Sequence, residues 1–112
     1  MSRADHDVFM LLVEVGRKPG DGLPDAASGA ALVCYASGVD EAEAVRETVA
    51  VLRQAGLAPL DVTAYGTAAE RRAAGHDIPA EEEDLMARAR DENAVIVAQI
   101  TPLHDGASAT ED

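Results

Sequence analysis

The stretch that decides the fold is AALVCYASGVDEAEAVRETVAVLRQAGLAP, residues 30–59. Its first seven residues are apolar or small and include β-branched and aromatic side chains, which favours a strand over Ala30–Ala36. Residues 37–39, Ser-Gly-Val, form a turn out of that strand. An amphipathic pattern then runs from Asp40 to about Ala55. A strand that leads through a short turn into a helix is a building unit of mixed α/β domains.

The helix in this segment has a signal at each end. Asp40 and Glu43 have the spacing of a capping box, which satisfies free backbone N–H groups at a helix N-terminus. Gly56 is suited to the left-handed residue after the last turn, and Pro59 prevents continuation. The positions that repeat at i, i+4 and i+7 form one apolar stripe, comprising Val45, Val49 and Leu52.

Three further segments have the composition of strands. Asp7–Val15 is almost continuously apolar, which predicts a central strand covered on both faces. Leu60–Tyr65 alternates between apolar and polar residues, which predicts a half-buried strand near a sheet edge. Ala94–Thr101 is rich in Val and Ile, and Pro102 is the predicted end of that strand.

Two more helices are predicted between the last two strands. Thr67 and Glu70 form a second capping box, which opens a short helix that ends at Gly75. The residues 77–79, Asp-Ile-Pro, start a longer helix, because proline is favoured in a first turn. Asn93 is a suitable residue to end it.

The predicted order is β-β-α-β-(short α)-α-β. It indicates an α/β (α+β) domain with a four-stranded sheet and two main helices on one face. This is a variant of the ferredoxin-like sandwich, with an additional strand at the start of the chain; a three-layer arrangement is the alternative. We expect one sandwich domain over residues 7–102, a flexible N-terminus over 1–6 and a disordered acidic tail over 103–112. A loop as long as Gly16–Gly29 is often functional or mobile, and the alternative is a disordered hairpin loop without a role.

Composition restricts the partners and the compartment. The 112 residues include 9 basic and 21 acidic ones, a net charge of −12, which argues against nucleic acid or an anionic membrane as partner. A single cysteine, Cys34, excludes an intramolecular disulfide and fits a reducing compartment. The start of the chain lacks the pattern of a signal peptide. The longest apolar run is Val8–Val13, whereas a membrane helix needs about 20 residues. We therefore expect a cytoplasmic protein.

The most chemically diverse polar cluster consists of Tyr65, Arg71, Arg72 and His76. The two arginines form a basic doublet in an acidic chain, just after the third strand. We expect this candidate site to lie at one end of the sheet. There the guanidinium groups would bind a carboxylate or phosphate.

Other reactive residue types do not form a recognisable constellation. The three histidines are His6, His76 and His104, and no two of them have the spacing of metal ligands. Cys34 lies in the middle of a strand, where a buried structural thiol is common. We expect no metal, no cofactor and no catalytic residue.

Two hypotheses of function remain. The preferred one is a non-enzymatic protein-interaction or regulatory module, a homodimer through the sheet, because the second face of Val8–Val13 needs a cover. An inhibitor or immunity-type protein that binds a basic partner belongs to the same class. The alternative is a small ligand-binding protein or enzyme, with a pocket between sheet and helices that uses Tyr65, Arg71 and His76.

Overall fold

The computed structural model describes residues 7–104. Within this range four strands and three helices follow one another in the predicted order, so the α+β class is confirmed. The elements are β1 (Asp7–Val15), β2 (Gly29–Gly38), α1 (Glu41–Gln54), β3 (Pro59–Thr67), α2 (Ala68–Ala73), α3 (Ala80–Glu92) and β4 (Val95–Leu103).

The strands form one antiparallel sheet in the order β3-β1-β2-β4. The hairpin of β1 and β2 fills the two central positions, and β3 and β4 are the edges. A ferredoxin-like chain opens with a β-α-β unit instead of a hairpin. The ferredoxin-like topology is therefore not confirmed, although the number of strands and the element order are.

The two main helices pack on opposite faces of the sheet. Side chains of a strand alternate between faces, and Leu11 and Cys34 share a core with Leu52 of α1, whereas Val8 and Tyr35 share one with Met86 of α3. We name these the α1 face and the α3 face. The prediction that both helices lie on one face was wrong, and the three-layer alternative describes the domain. The physical reason is that β1 and β2 are apolar on both sides, so each side recruits a helix.

The predicted boundaries of α1 are confirmed by its caps. Asp40 Oδ1 accepts from the Glu43 N–H at 2.8 Å, and Glu43 Oε1 accepts from the Val39 N–H at 2.7 Å. The buried Thr48 hydroxyl donates to the Ala44 carbonyl at 2.8 Å, so this polar group has a hydrogen-bond partner within the helix. Of the predicted stripe only Leu52 is buried, whereas Val45 and Val49 are partly exposed and the buried row is completed by Ala44 and Thr48.

One side chain organises the long loop between β1 and β2. The Arg17 guanidinium donates to both carboxylate oxygens of Asp21, at 3.0 and 3.2 Å, and to the carbonyls of Pro24 and Ala27 at 2.9 and 2.6 Å. The hydrogen bond from Arg17, with backbone N–H donors, holds the pKa of Asp21 far below its usual value. Leu23 packs against the core of the α1 face. The loop is thus a folded part of the domain, and the disordered alternative is wrong.

The last strand is longer than predicted. β4 continues through Pro102 to Leu103, whose carbonyl accepts from the Ser28 N–H at 2.7 Å. Proline is tolerated there because β4 is an edge strand, where one side of the backbone needs no N–H for pairing. The predicted flexible N-terminus and most of the predicted tail (residues 1–6 and 105–112) lie outside the described residues.

Candidate functional site

Three of the four predicted site residues line one cavity. Tyr65, Arg71 and His76 surround a depression of about 310 Å³ on the α3 face, next to the β3 edge. The remaining lining residues are Met10, Glu70 and Ala74. The sequence cluster is thus brought together in space, with an apolar floor and polar side chains around it.

Backbone signals place these side chains. β3 bulges at Tyr65, because Met10 pairs with Gly66 while Leu11 pairs with Ala64. Gly66 has φ +94°, a left-handed conformation that favours glycine. The strand then passes directly into α2 at Thr67, whose capping box with Glu70 is present as predicted. The result is a compact turn that sets Arg71 beside the bulge.

Arg71 is mostly occupied by an internal ion pair. Its Nη2 lies 3.1 Å from Glu82 Oε1 of α3, and its side chain is only 12% exposed. Burial, together with the nearby Glu82 carboxylate, raises the pKa of Tyr35 beneath it. Arg71 Nη1 is buried and has no hydrogen-bond acceptor among residues 7–104. Arg71 therefore ties α2 to α3, with one donor left over.

Arg72 does not join the cavity. It forms an ion pair with Glu83 of α3 and points into a neighbouring groove of about 400 Å³ between α2 and α3. That groove has an apolar floor of Val8 and Met86, and the ion pair of Arg90 with Asp7 lies on its rim. Both arginines of the doublet are therefore charge-compensated by carboxylates of one helix.

Cys34 is a structural residue. Cys34 is completely buried in the core of the α1 face, and burial raises its pKa to about 11. It is therefore a neutral thiol near pH 7, unlike a nucleophilic cysteine. Over residues 7–104, no group of three or more His, Cys, Asp and Glu side chains is arranged to hold a metal ion.

A second surface feature was missed from the sequence: the outer edge of β4. Five consecutive residues, 97–101, are exposed, and Val97 and Ile100 are 37% and 51% exposed. None of the nine residues Val95–Leu103 is charged. Among the described strands only β2 pairs with β4, on its inner side. The absence of charge was visible in the sequence, but the position of the strand at an edge was not.

Comparison with known proteins places the domain in a family. Residues 8–104 match the family described as a domain of unknown function, DUF8846. The chain belongs to this family. The match begins at the second residue of β1 and ends just after β4, so the DUF8846 domain corresponds to the whole described fold. No curated protein and no solved structure matches the chain. Of the helices in the described part of the DUF8846 domain, none has the length and apolarity to cross a membrane.

Proposed function

We propose that the domain is a non-enzymatic protein-interaction module that forms a homodimer, and that β4 is the strand through which it does so. The single observation that carries this proposal is the uncharged, exposed outer edge of β4, with Val97 and Ile100 open to solvent. Unpaired backbone N–H and C=O groups at a sheet edge accept another strand readily. A partner strand would satisfy these groups and cover both apolar side chains.

The charge of the chain favours a second copy at this edge. A basic partner is drawn to carboxylates, and Val95–Leu103 contains none. Two chains of net charge −12 repel each other over most of their surface. The contact that costs least is the one made where each chain is uncharged, and β4 is such a place.

The interface is an edge and not the face that the sequence suggested. The second face of Val8–Val13 needed a cover, and α3 supplies one over Val8, which is buried against Met86. That reason for a face-to-face dimer is therefore removed. The exposed edge of β4 provides a different one, which depends on strand pairing.

Sedimentation velocity tests the proposal. We expect a concentration-dependent dimer between about 1 and about 300 µM, a range that spans binding free energies near −8 to −5 kcal/mol. A monomer throughout this range, at both low and high salt, contradicts it. If a basic partner is instead the target, the chain stays monomeric and its complex with that partner weakens as salt rises.

A second candidate function is supported by the cavity of Tyr65, Arg71 and His76. Arg71 Nη1 is a buried donor without an acceptor, and buried donors are rarely left unpaired. A small carboxylate or phosphate in the cavity would supply an oxygen to the side chain that the sequence singled out. In this alternative the protein binds a small anionic ligand between the sheet and α2.

A thermal-shift screen with small carboxylates and inorganic phosphate tests this candidate. The informative variants are Tyr65→Ala and His76→Ala, since both side chains line the cavity and are exposed. Arg71 is unsuitable, because its loss also breaks the pair with Glu82. A stabilising ligand must lose its effect in these variants and keep it in Val39→Ala, which removes an exposed apolar side chain elsewhere. If no compound raises Tm, the cavity is part of the scaffold.

A further inference from the structure

We infer that the two copies pair through antiparallel β4 strands in one register, in which Val97 of each copy faces Ile100 of the other. This inference rests on the proposed homodimer and adds the geometry of its interface. It follows from the position of a bulge in β4, and from which side chains lie on each face of the sheet.

Edge-to-edge pairing of two identical antiparallel strands has a simple symmetry. The two-fold axis stands perpendicular to the sheet, so the joined sheet is continuous and each face remains on its own side. Residues that face each other across the axis must then project to the same face. In a regular strand, side chains alternate with a period of two. The register is then centred on one residue, which faces the same residue of the other copy.

The bulge in β4 changes that condition. Val33 pairs with Gln99 and Cys34 pairs with Val97, so Ala98 is an additional residue. The alternation of side chains therefore shifts by one at this point. The residues of β4 on the α1 face are those whose β2 partners all belong to the α1-face core: Val95, Val97, Ile100 and Pro102.

In a continuous sheet, only residues on the same face can oppose each other. Because of the bulge, two such residues on either side of it are separated by an odd number of positions. If Val97 faces Ile100, then Val95 faces Pro102, and all of them lie on the α1 face. In the same register Ile96 faces Thr101 on the α3 face. A register centred on Gln99 would instead oppose Val97 to Thr101, which lie on different faces. Registers in which Val95 faces Ile100, or Val97 faces Pro102, also match in face, but only the register of Val97 with Ile100 opposes the two exposed apolar side chains.

This register also places the exposed apolar side chains together. Val97 and Ile100 of both copies form one patch of four side chains, on the face that carries α1. Directly opposed residues in an antiparallel pair have Cα atoms about 4.5 to 5.5 Å apart, so their side chains are in contact. The paired strands are about 30 Å long, and no charged side chain of Val95–Leu103 meets a like charge along them.

Disulfide trapping tests the register. The first variant combines Val97→Cys and Ile100→Cys with Cys34→Ala, because Cys34 is the β2 neighbour of Val97 on the same face. We expect a covalent dimer after mild oxidation, since directly opposed Cα atoms are within reach of a disulfide. A second variant combines Ile96→Cys and Thr101→Cys and retains Cys34, which lies on the other face. It reports the same register if the first variant folds poorly.

Single substitutions are the matched controls. In the inferred register the two copies of residue 97 are offset by three positions, about 10 Å along the strand, which is beyond disulfide reach. Val97→Cys alone and Ile100→Cys alone, each with Cys34→Ala, should therefore remain unlinked. Trapping in either single variant, as fast as in the double ones, overturns the register.

The outcomes separate the two proposals. A dimer by sedimentation that no double variant traps overturns the register and leaves the homodimer standing. A chain that is monomeric at all concentrations overturns the homodimer and the register together. Trapping in both double variants and in neither single variant supports both.

Discussion

Both edges of the sheet expose large apolar side chains, and yet they differ in the features that control strand addition. β3 exposes Leu60 and Tyr65 to 72% and 50%, and β4 exposes Val97 and Ile100 to 37% and 51%. By exposure alone, β3 would be the edge expected to bind another strand more readily. Apolar exposure therefore does not identify the edge that accepts another strand.

Charge and bulges separate the two edges. β3 begins with Pro59, has Asp61 in its first half and is bulged at both Leu60 and Tyr65. Edge charges, prolines and bulges are the devices by which proteins prevent unwanted strand addition. β4 has a single bulge near its middle, no charge, and its proline close to the end. β3 thus carries more of these protective features than β4 does.

A lysine on each edge gives the largest expected difference. Ile100→Lys puts an unpaired charge into the proposed apolar patch, so we expect the dimer Kd to rise about 100-fold, or about 2.7 kcal/mol. Leu60→Lys, at an even more exposed position of β3, should leave the Kd unchanged. Sedimentation velocity measures both. Equal loss in the two variants would show that the edges are not distinguished as we propose.

The elements of the fold were predictable because their signals are local. The capping residues Asp40 and Glu43 lie within one turn of each other, and the same holds for Thr67 and Glu70. The apolar sequence of β1 indicated cover on both faces. It did not indicate whether a helix of the same chain or a second copy supplies the cover on the second face, and α3 supplies it over Val8.

The candidate site was predictable in part for the same reason. Tyr65, Arg71 and His76 lie within twelve positions of the chain, so a short turn suffices to gather them. The pairing of Arg71 with Glu82 joins two helices, and no local pattern indicates it. The bulge at Ala98 exists only relative to β2. The feature that governs the proposed interface therefore becomes visible only with the sheet register.

Gly66 tests how strongly the bulged end of β3 depends on glycine. Gly66→Ala places a Cβ at φ +94° and 2.5 Å from Glu70 Oε1, which caps Thr67. We expect a loss of about 2 kcal/mol in the free energy of unfolding, from strain and from the broken cap. Urea unfolding measures it.

Gly75→Ala is the matched control for this substitution. Gly75 has the same φ of +94°, but nothing lies within 4 Å of the added Cβ. It should therefore lose only the conformational part, and be about 1 kcal/mol less destabilised than Gly66→Ala. If the two variants unfold alike, the cap from Glu70 to the Thr67 N–H does not contribute measurably to stability.

Salt should strengthen the proposed dimer at β4 modestly. Raising the ionic strength screens the repulsion between two chains of net charge −12, while the uncharged contact at β4 is little affected. We expect the dimer Kd to fall roughly threefold between low and high salt. Sedimentation at several salt concentrations measures it. A dimer that dissociates as salt rises would point to an interface made by opposite charges, and thus away from β4.

Asp61 gives the smallest effect. It pairs directly with Glu14 of β1, and both carboxylates are exposed on the α3 face. Like charges in directly opposed positions destabilise a sheet, so Asp61→Asn should gain about 0.5 kcal/mol in urea unfolding. The gain should shrink at high salt.

Asp77→Asn, an exposed carboxylate outside the sheet, is the control and should gain nothing. A charge on an edge strand also discourages the addition of another strand. We therefore expect Asp61→Asn, unlike Asp77→Asn, to show weak association beyond the dimer at the highest concentrations in sedimentation. If Asp61→Asn is more stable and forms no larger species, then the bulges and Pro59 suffice to close this edge, and the carboxylate of Asp61 contributes nothing to the difference from β4.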